Sequence, residues 1–123
     1  MASDEDLKQV IRVFYTCAAL ENTEKVIALC TEDVVLRWGN YTFEGTAAIE
    51  RWVRELAQSF SGVAFIEKSL SIHRGEGLHE FLLRINTPIG GEGLIPVAAK
   101  YLFRDGKILA LDLSLQEGLI VEG

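Results

Sequence analysis

The chain has few cysteines, a shortage of basic residues and no long apolar run, and each shortage closes off a class of protein. Cys17 and Cys30 are the only cysteines in 123 residues, too few for a disulfide framework. Both fall in helical patterns and read as buried, reduced packing residues. There is no CxxC pair, and neither cysteine has a histidine beside it in sequence. Lys and Arg number 12 against 18 Asp and Glu, a net charge of −6. A protein that neutralises a nucleic-acid backbone is normally basic, and an anionic membrane surface repels the same excess of carboxylates. No apolar run approaches the ~20 residues that span a bilayer. The first residues, MASDEDLK, are acidic and lack the apolar core of a signal peptide, so a cytoplasmic location is expected. No linker, internal repeat or low-complexity tract interrupts the chain. Its length suits one domain spanning 1–123, which can bury roughly two thirds of its unfolded surface.

What is present is a globular balance, 49% apolar and 24% charged. Ser3, with Asp6 three residues on, begins a capping-box-like pattern. Leu7, Val10, Ile11, Phe14 and Ala18 then follow helical spacing. A short second helix is marked by Asn22 or Thr23 as cap and by Val26, Ile27, Leu29 and Cys30. In VVLRW, alternation puts Val34, Leu36 and Trp38 on one face of a strand and Val35 and Arg37 on the other. Gly39-Asn40 turns the chain into a short return strand, Tyr41-Thr42-Phe43. A third helix carries Ile49, Trp52, Val53, Leu56 and Phe60 on one stripe and the pair Glu50 and Arg54 on its other face. After Ser61-Gly62 the pattern changes to strands, roughly 63–73, 78–87, 94–104 and 107–116. Helices followed by a run of strands predict an α+β fold, three N-terminal helices packed in the concave face of a curved antiparallel sheet.

Hairpin register decides which side chains share a face. Arg104-Asp105-Gly106 admits two hairpins. A two-residue type I′ turn at Asp105-Gly106 sets Ala99 opposite Asp112 and Lys100 among leucines. A three-residue loop with Gly106 in a G1 bulge sets Ala99 opposite Leu111 and Ala98 opposite Asp112. The second gathers Val97, Ala99, Tyr101, Leu109, Leu111 and Leu113 on one face and leaves Lys100 diagonal to Asp112 on the other. It is the expected register, and it makes Asp112 a surface charge rather than a catalytic acid.

In the earlier hairpin, taking Gly75-Glu76 as the turn centre pairs Glu67 with Arg84 on the outer face. The apolar face then pairs Ile66 with Ile85, Leu70 with Phe81 and Ile72 with His79. Lys68 falls on that apolar face opposite Leu83. Either a β-bulge rotates it outward, the preferred reading, or it is a cation in a cavity. His73 and His79 point to opposite faces and cannot chelate one ion together, so no metal site is expected. His79 is either a strand-end histidine or an acid or base at a cavity mouth.

Helix, short helix with ALCTEDVVLRW, turn, FEGTAAIERWV, then a long sheet ending YLFRDGKI: this order resembles the nuclear transport factor 2-like superfamily. The SnoaL-like branch, with polyketide cyclases, ketosteroid isomerases and limonene epoxide hydrolases, is the nearest, and the resemblance covers nearly the whole chain. It implies a cystatin-like cone with an apolar pocket lined by Phe14, Trp38, Trp52, Val53, Phe81, Leu83, Val97, Ala99, Tyr101, Leu111 and Leu113, with Tyr41 at the rim. It also implies, in the isomerases, a tyrosine and two aspartates where Phe14, Trp38 and Ala99 stand here. All three polar groups are missing, and proton abstraction needs a base within hydrogen-bond reach. Tyr15 is one residue out of register with that tyrosine. The Asp-Arg-Asp set of the epoxide hydrolases falls on Leu83, Ile85 and Leu113.

Three functions follow as expectations. The first is a protein that binds a small apolar or aromatic molecule in a conical pocket, with no standard catalytic set and no cofactor. The second is a SnoaL-like cyclase, isomerase or hydrolase that uses a non-standard acid or base among Tyr101, His79 and Lys68. The third is a dimeric interaction module with a vestigial pocket. A homodimer through the outer sheet face is expected, supplied by Ala98, Leu102, Ala110 and the tail Leu119-Ile120-Val121.

Overall fold

The capping box at Ser3 forms as the sequence predicts. The Asp6 N–H donates to Ser3 Oγ at 3.2 Å, the Ser3 N–H donates to Asp6 Oδ2 at 3.0 Å, and helix α1 (Asp4–Ala19) follows. The structure, a computed structural model, describes residues 2–59, 64–86, 91–115 and 120–122. Helix α1 buries Leu7, Ile11, Phe14, Cys17 and Ala18. Helix α2 (Thr23–Ala28) is capped by Asn22, whose side chain accepts from the Lys25 N–H. It ends before Cys30, which is not helical as expected but begins strand β1 (Cys30–Trp38). The cause lies in the sheet: the Leu29 carbonyl accepts from the Ile108 N–H at 2.8 Å and draws the chain into strand pairing. Cys30 is nevertheless buried and free, its Sγ donating to the Val26 carbonyl. Burial pushes its thiol up to about 12, so it is an inert packing group.

Strand β1 turns at Gly39, held at φ 59, into β2 (Tyr41–Glu44). Helix α3 (Thr46–Ser59) follows and buries Ile49, Trp52, Val53 and Leu56 against the sheet. Glu50 and Arg54 pair on its outer side, as their spacing predicts. Phe60 and Ser61-Gly62 lie outside the described residues. Strands β3 (Ala64–His73), β4 (Glu76–Asn86), β5 (Glu92–Arg104), β6 (Lys107–Leu115) and β7 (Ile120–Glu122) complete the fold.

The sheet order is β2-β1-β6-β5-β4-β3, with β7 paired to β5 beyond that path. The α+β architecture is as read from the sequence, and the sheet is curved and mixed rather than wholly antiparallel. Among the described residues its one parallel pair is β1 with β6. Hairpins enforce antiparallel pairing only between strands they join. Strands β1 and β6 are separated by most of the chain and are free to run the same way.

Both long hairpins differ from expectation, one in its turn type and a bulge beyond it, the other in the position of its turn. Asp105 (φ 52) and Gly106 (φ 78) form a two-residue turn, with Arg104 paired to Lys107. The register then shifts by one at Leu109. Ala99 faces Leu113, Lys100 faces Asp112 and Tyr101 faces Leu111. The bulge removes the clash that argued against this turn. It also buries Ile108, not Leu109, while Asp112 is exposed as expected.

In the other hairpin the turn is Arg74-Gly75, so His73 pairs with Glu76 and Leu70 with His79. The bulge at Lys68 forms as expected and leaves Lys68 exposed. Beyond it Glu67 faces Phe81 and Ala64 faces Arg84, so the expected Glu67–Arg84 cross-strand pairing is not made. Phe65, Glu67, Leu70 and Ile72 line the inner face of β3, and the first, third and fourth pack on the core.

On the outer face, Val35, Arg37, Lys100, Leu102, Ala110 and Asp112 surround a shallow groove, with half-buried Ala98 on the same side. Of the apolar tail expected to join that patch, Ile120–Glu122 pairs with β5 of its own chain, and Leu119 lies outside the described residues. Among the described residues no helix is long and apolar enough to cross a membrane.

At Gly77 the side chain of Ile11 from α1 packs tightly against the backbone of β4. A Cβ added there would lie 2.6 Å from Ile11 Cδ1 and 3.2 Å from Tyr101 Cβ, both fully buried side chains. Gly77→Ala is expected to destabilise the fold by about 1–3 kcal/mol, read as a lower urea midpoint at unchanged slope; a neutral result would show that Ile11 has a second rotamer to occupy.

A candidate ligand cleft with a buried histidine behind its wall

The inner face of the sheet and the facing sides of α1 and α3 do not close completely. Phe14, Tyr15 and Ala18 from α1, Trp52 and Leu56 from α3, and Trp38, Phe65, Phe81, Leu83, Tyr101, Leu111 and Leu113 from the sheet line a cleft between them. Its cavity is about 10 Å³, about enough for one water molecule. Three half-buried aromatics, Tyr15, Trp38 and Phe65, form its outer part, and the remaining lining residues are buried. Phe14 and Trp52 stack at 6.2 Å, and Trp38 tilts against Trp52 at the same distance.

Of the twelve expected ligand-lining residues, Phe14, Trp38, Trp52, Phe81, Leu83, Tyr101, Leu111 and Leu113 come together here. Ala99 is buried but lies off the cleft, as do Val53 and Val97. Tyr41 is 70% exposed and stands away from it. Of the three candidate acids and bases, Lys68 is exposed at its bulge. Tyr101 is fully buried, and burial raises its phenol well above the ordinary value, so it is a neutral hydroxyl. His79 lies inside, 1% exposed. His73 points the other way, as expected, and among the described residues no three His, Cys, Asp or Glu side chains gather as a metal site.

His79 does not stand alone. Its ring stacks on Tyr15 at 4.9 Å and packs on Phe81 at 4.8 Å, both of which line the cleft. Its Nε2 is 3.5 Å from Glu67 Oε1. The Tyr15 hydroxyl donates to the same Oε1 at 3.2 Å, and Arg12 reaches both carboxylate oxygens at 3.4 Å. Among the described residues neither ring nitrogen of His79 has a partner within hydrogen-bond geometry, the Nε2–Glu67 approach being long. Burial lowers the imidazole to about 4, against an opposing pull from Glu67, so it is neutral at pH 7. For Glu67, burial works to raise the carboxyl, but Arg12 and Tyr15 outweigh it and hold it below its usual value. The result is an ionised carboxylate facing a neutral imidazole.

Sequence reasoning missed Glu67, Tyr15 and Arg12. The available signal was the Lys68 bulge: an unpaired residue reverses the faces of everything beyond it, and carrying that slip upstream turns Glu67 inward.

The family model for the SnoaL-like domain matches residues 11–111. No curated protein matches the chain. Among solved structures, the chain is similar to an NTF2-like protein of unknown function from Burkholderia pseudomallei, 12% identical with a TM-score of 0.81 over 94% of this chain and 92% of that one. It is similar to the epoxide hydrolase/cyclase-like enzyme SalBIII of pyran ring formation in salinomycin, 13% identical with a TM-score of 0.79 over 91% and 92%. It is also similar to an LEH-like epoxide hydrolase of M. tuberculosis, 15% identical with a TM-score of 0.77 over 92% and 84%. Identities this low establish the shared fold.

The depressed imidazole predicts a pH dependence of stability. Between pH 6.5 and about 4 the unfolded chain binds a proton at His79 that the folded chain does not. Stability therefore falls as pH falls through that window, by on the order of 2–3 kcal/mol. His79→Phe is expected to flatten this part of a urea-midpoint profile; an unchanged profile would place the titrating group elsewhere.

Proposed function

We propose that this chain, which belongs to the SnoaL-like domain family, binds a small apolar or aromatic molecule in the cleft between α1, α3 and the sheet. The lining carries this reading. Six aromatic rings besides Tyr15, together with three leucines of the sheet, surround the space, and the polar side chains among the lining residues are two tyrosines and two tryptophans. Apolar walls with few polar groups select ligands by shape and buried area. The cavity is small, so a ligand larger than water enters by displacing the half-buried outer aromatics, of which Trp38 is the largest.

The positions that match the isomerase base and oxyanion donors hold Phe14, Trp38 and Ala99, which supports binding over that family chemistry.

Both tryptophans of the chain line the cleft, so intrinsic fluorescence reports its occupancy. In a series of small aromatic and terpenoid compounds, at least one is expected to change that fluorescence and raise the melting temperature. Trp38→Ala should abolish the rise. A series that leaves both signals unmoved would sink the ligand reading.

A further inference from the structure

A histidine in the core whose Nδ1 has no hydrogen-bond partner among the described residues needs a reason. Leaving a buried polar group without a hydrogen bond costs stability, and a phenylalanine in the same aromatic stack would avoid that cost. His79 is 1% exposed and packs against Tyr15 and Phe81, both of which line the cleft. Its Nε2 faces the Glu67 carboxylate at 3.5 Å. A carboxylate accepts and does not donate, so it selects the tautomer with hydrogen on Nε2 and leaves the Nδ1 lone pair as an acceptor with nothing to accept from.

We propose that Nδ1 of His79 is the hydrogen-bond acceptor for the ligand of this cleft, which is therefore an aromatic or apolar molecule carrying one hydroxyl group, a phenol or a terpenoid alcohol. This inference rests on the ligand reading above and names the chemical class that reading leaves open. Glu67 is a positioning residue: it fixes the tautomer and is itself held by Arg12 and by the Tyr15 hydroxyl. Tyr15 is the half-buried cover of the stack, and ligand entry turns its side chain off the imidazole. The charged and titratable groups around His79 are Glu67 on β3, Arg12 and Tyr15 on α1, and, with its ring 6.4 Å away, Tyr101 on β5. With the imidazole lowered to about 4, the acceptor is available throughout the neutral range, and binding is lost only when acid protonates it.

The test compares para-cresol with its methyl ether, which has the same ring and no hydroxyl donor. By calorimetry at pH 7, the native chain is expected to bind the cresol about tenfold more tightly than the ether, the equivalent of one hydrogen bond. In His79→Phe that preference should vanish while ether binding persists. Nitrogen-15 spectra of the unaltered chain supply a readout that needs no variant. They should show His79 protonated on Nε2, with the Nδ1 resonance shifting on addition of cresol and not of ether. Equal binding of the two compounds, or an unmoved Nδ1 signal with cresol bound, would overturn the inference and leave the ligand reading standing. Failure of both compounds and of the wider aromatic series to bind would remove both.

Discussion

The unpaired residue Lys68 sets what the inner wall of the sheet presents. A strand alternates its side chains, so a single bulged residue exchanges the faces of every position beyond it. Without the bulge, Ile66 and Lys68 would point inward and Glu67 outward, and no carboxylate would stand on the inner wall at this place. With it, Phe65 and Glu67 turn in and Lys68 stays in solvent. The bulge brings the Glu67 carboxylate to His79, Tyr15 and Arg12, three residues from elements otherwise joined only by packing.

Apolar periodicity was legible at every helix and nearly every strand, because burial on one face leaves a strong local trace. The Ser3 cap, the α3 stripe from Ile49 to Leu56, the Val34-Leu36 face of β1 and the Glu50–Arg54 pair all follow from short-range spacing. The failures share a different cause. Cys30 left its helix because of a hydrogen bond to Ile108, a residue far along the chain. The parallel pairing of β1 with β6 is equally non-local. The expected β5–β6 register propagates rigidly from the turn; in the β3–β4 hairpin the turn lies one residue earlier than expected, and the expected pairing beyond Lys68 omits the slip of the expected bulge. Bulges at Lys68 and Leu109 break that propagation, and their placement is decided by packing across the core. The same error hid the candidate cluster, since Glu67 read outward has no business with His79.

The electrostatics of the cluster are arranged to keep one member neutral. Glu67 carries the charge because Arg12 and Tyr15 supply donors to both its oxygens. His79 is close enough to feel that charge, yet burial dominates and keeps the imidazole unprotonated. A surface histidine beside the same glutamate would be charged at mild acidity and would pair with it. Moving it behind Tyr15 and Phe81 converts a salt-bridge partner into a neutral acceptor.

That conversion bears on recognition against catalysis. A general base works best when its pKa lies near the working pH, where it accepts a proton with useful driving force. An imidazole lowered to about 4 is a poor base at neutrality but still offers a lone pair to a donor. The isomerase-like positions meanwhile carry Phe14, Trp38 and Ala99, which can stack or fill space and cannot move protons. On the proposed reading, a site with rings for a floor and one neutral acceptor beside its wall discriminates molecules by shape and by a single hydroxyl. Raising the imidazole, by letting water reach it or by removing Phe81 or Tyr15, is the physical change that would turn such a recognition site toward acid–base chemistry.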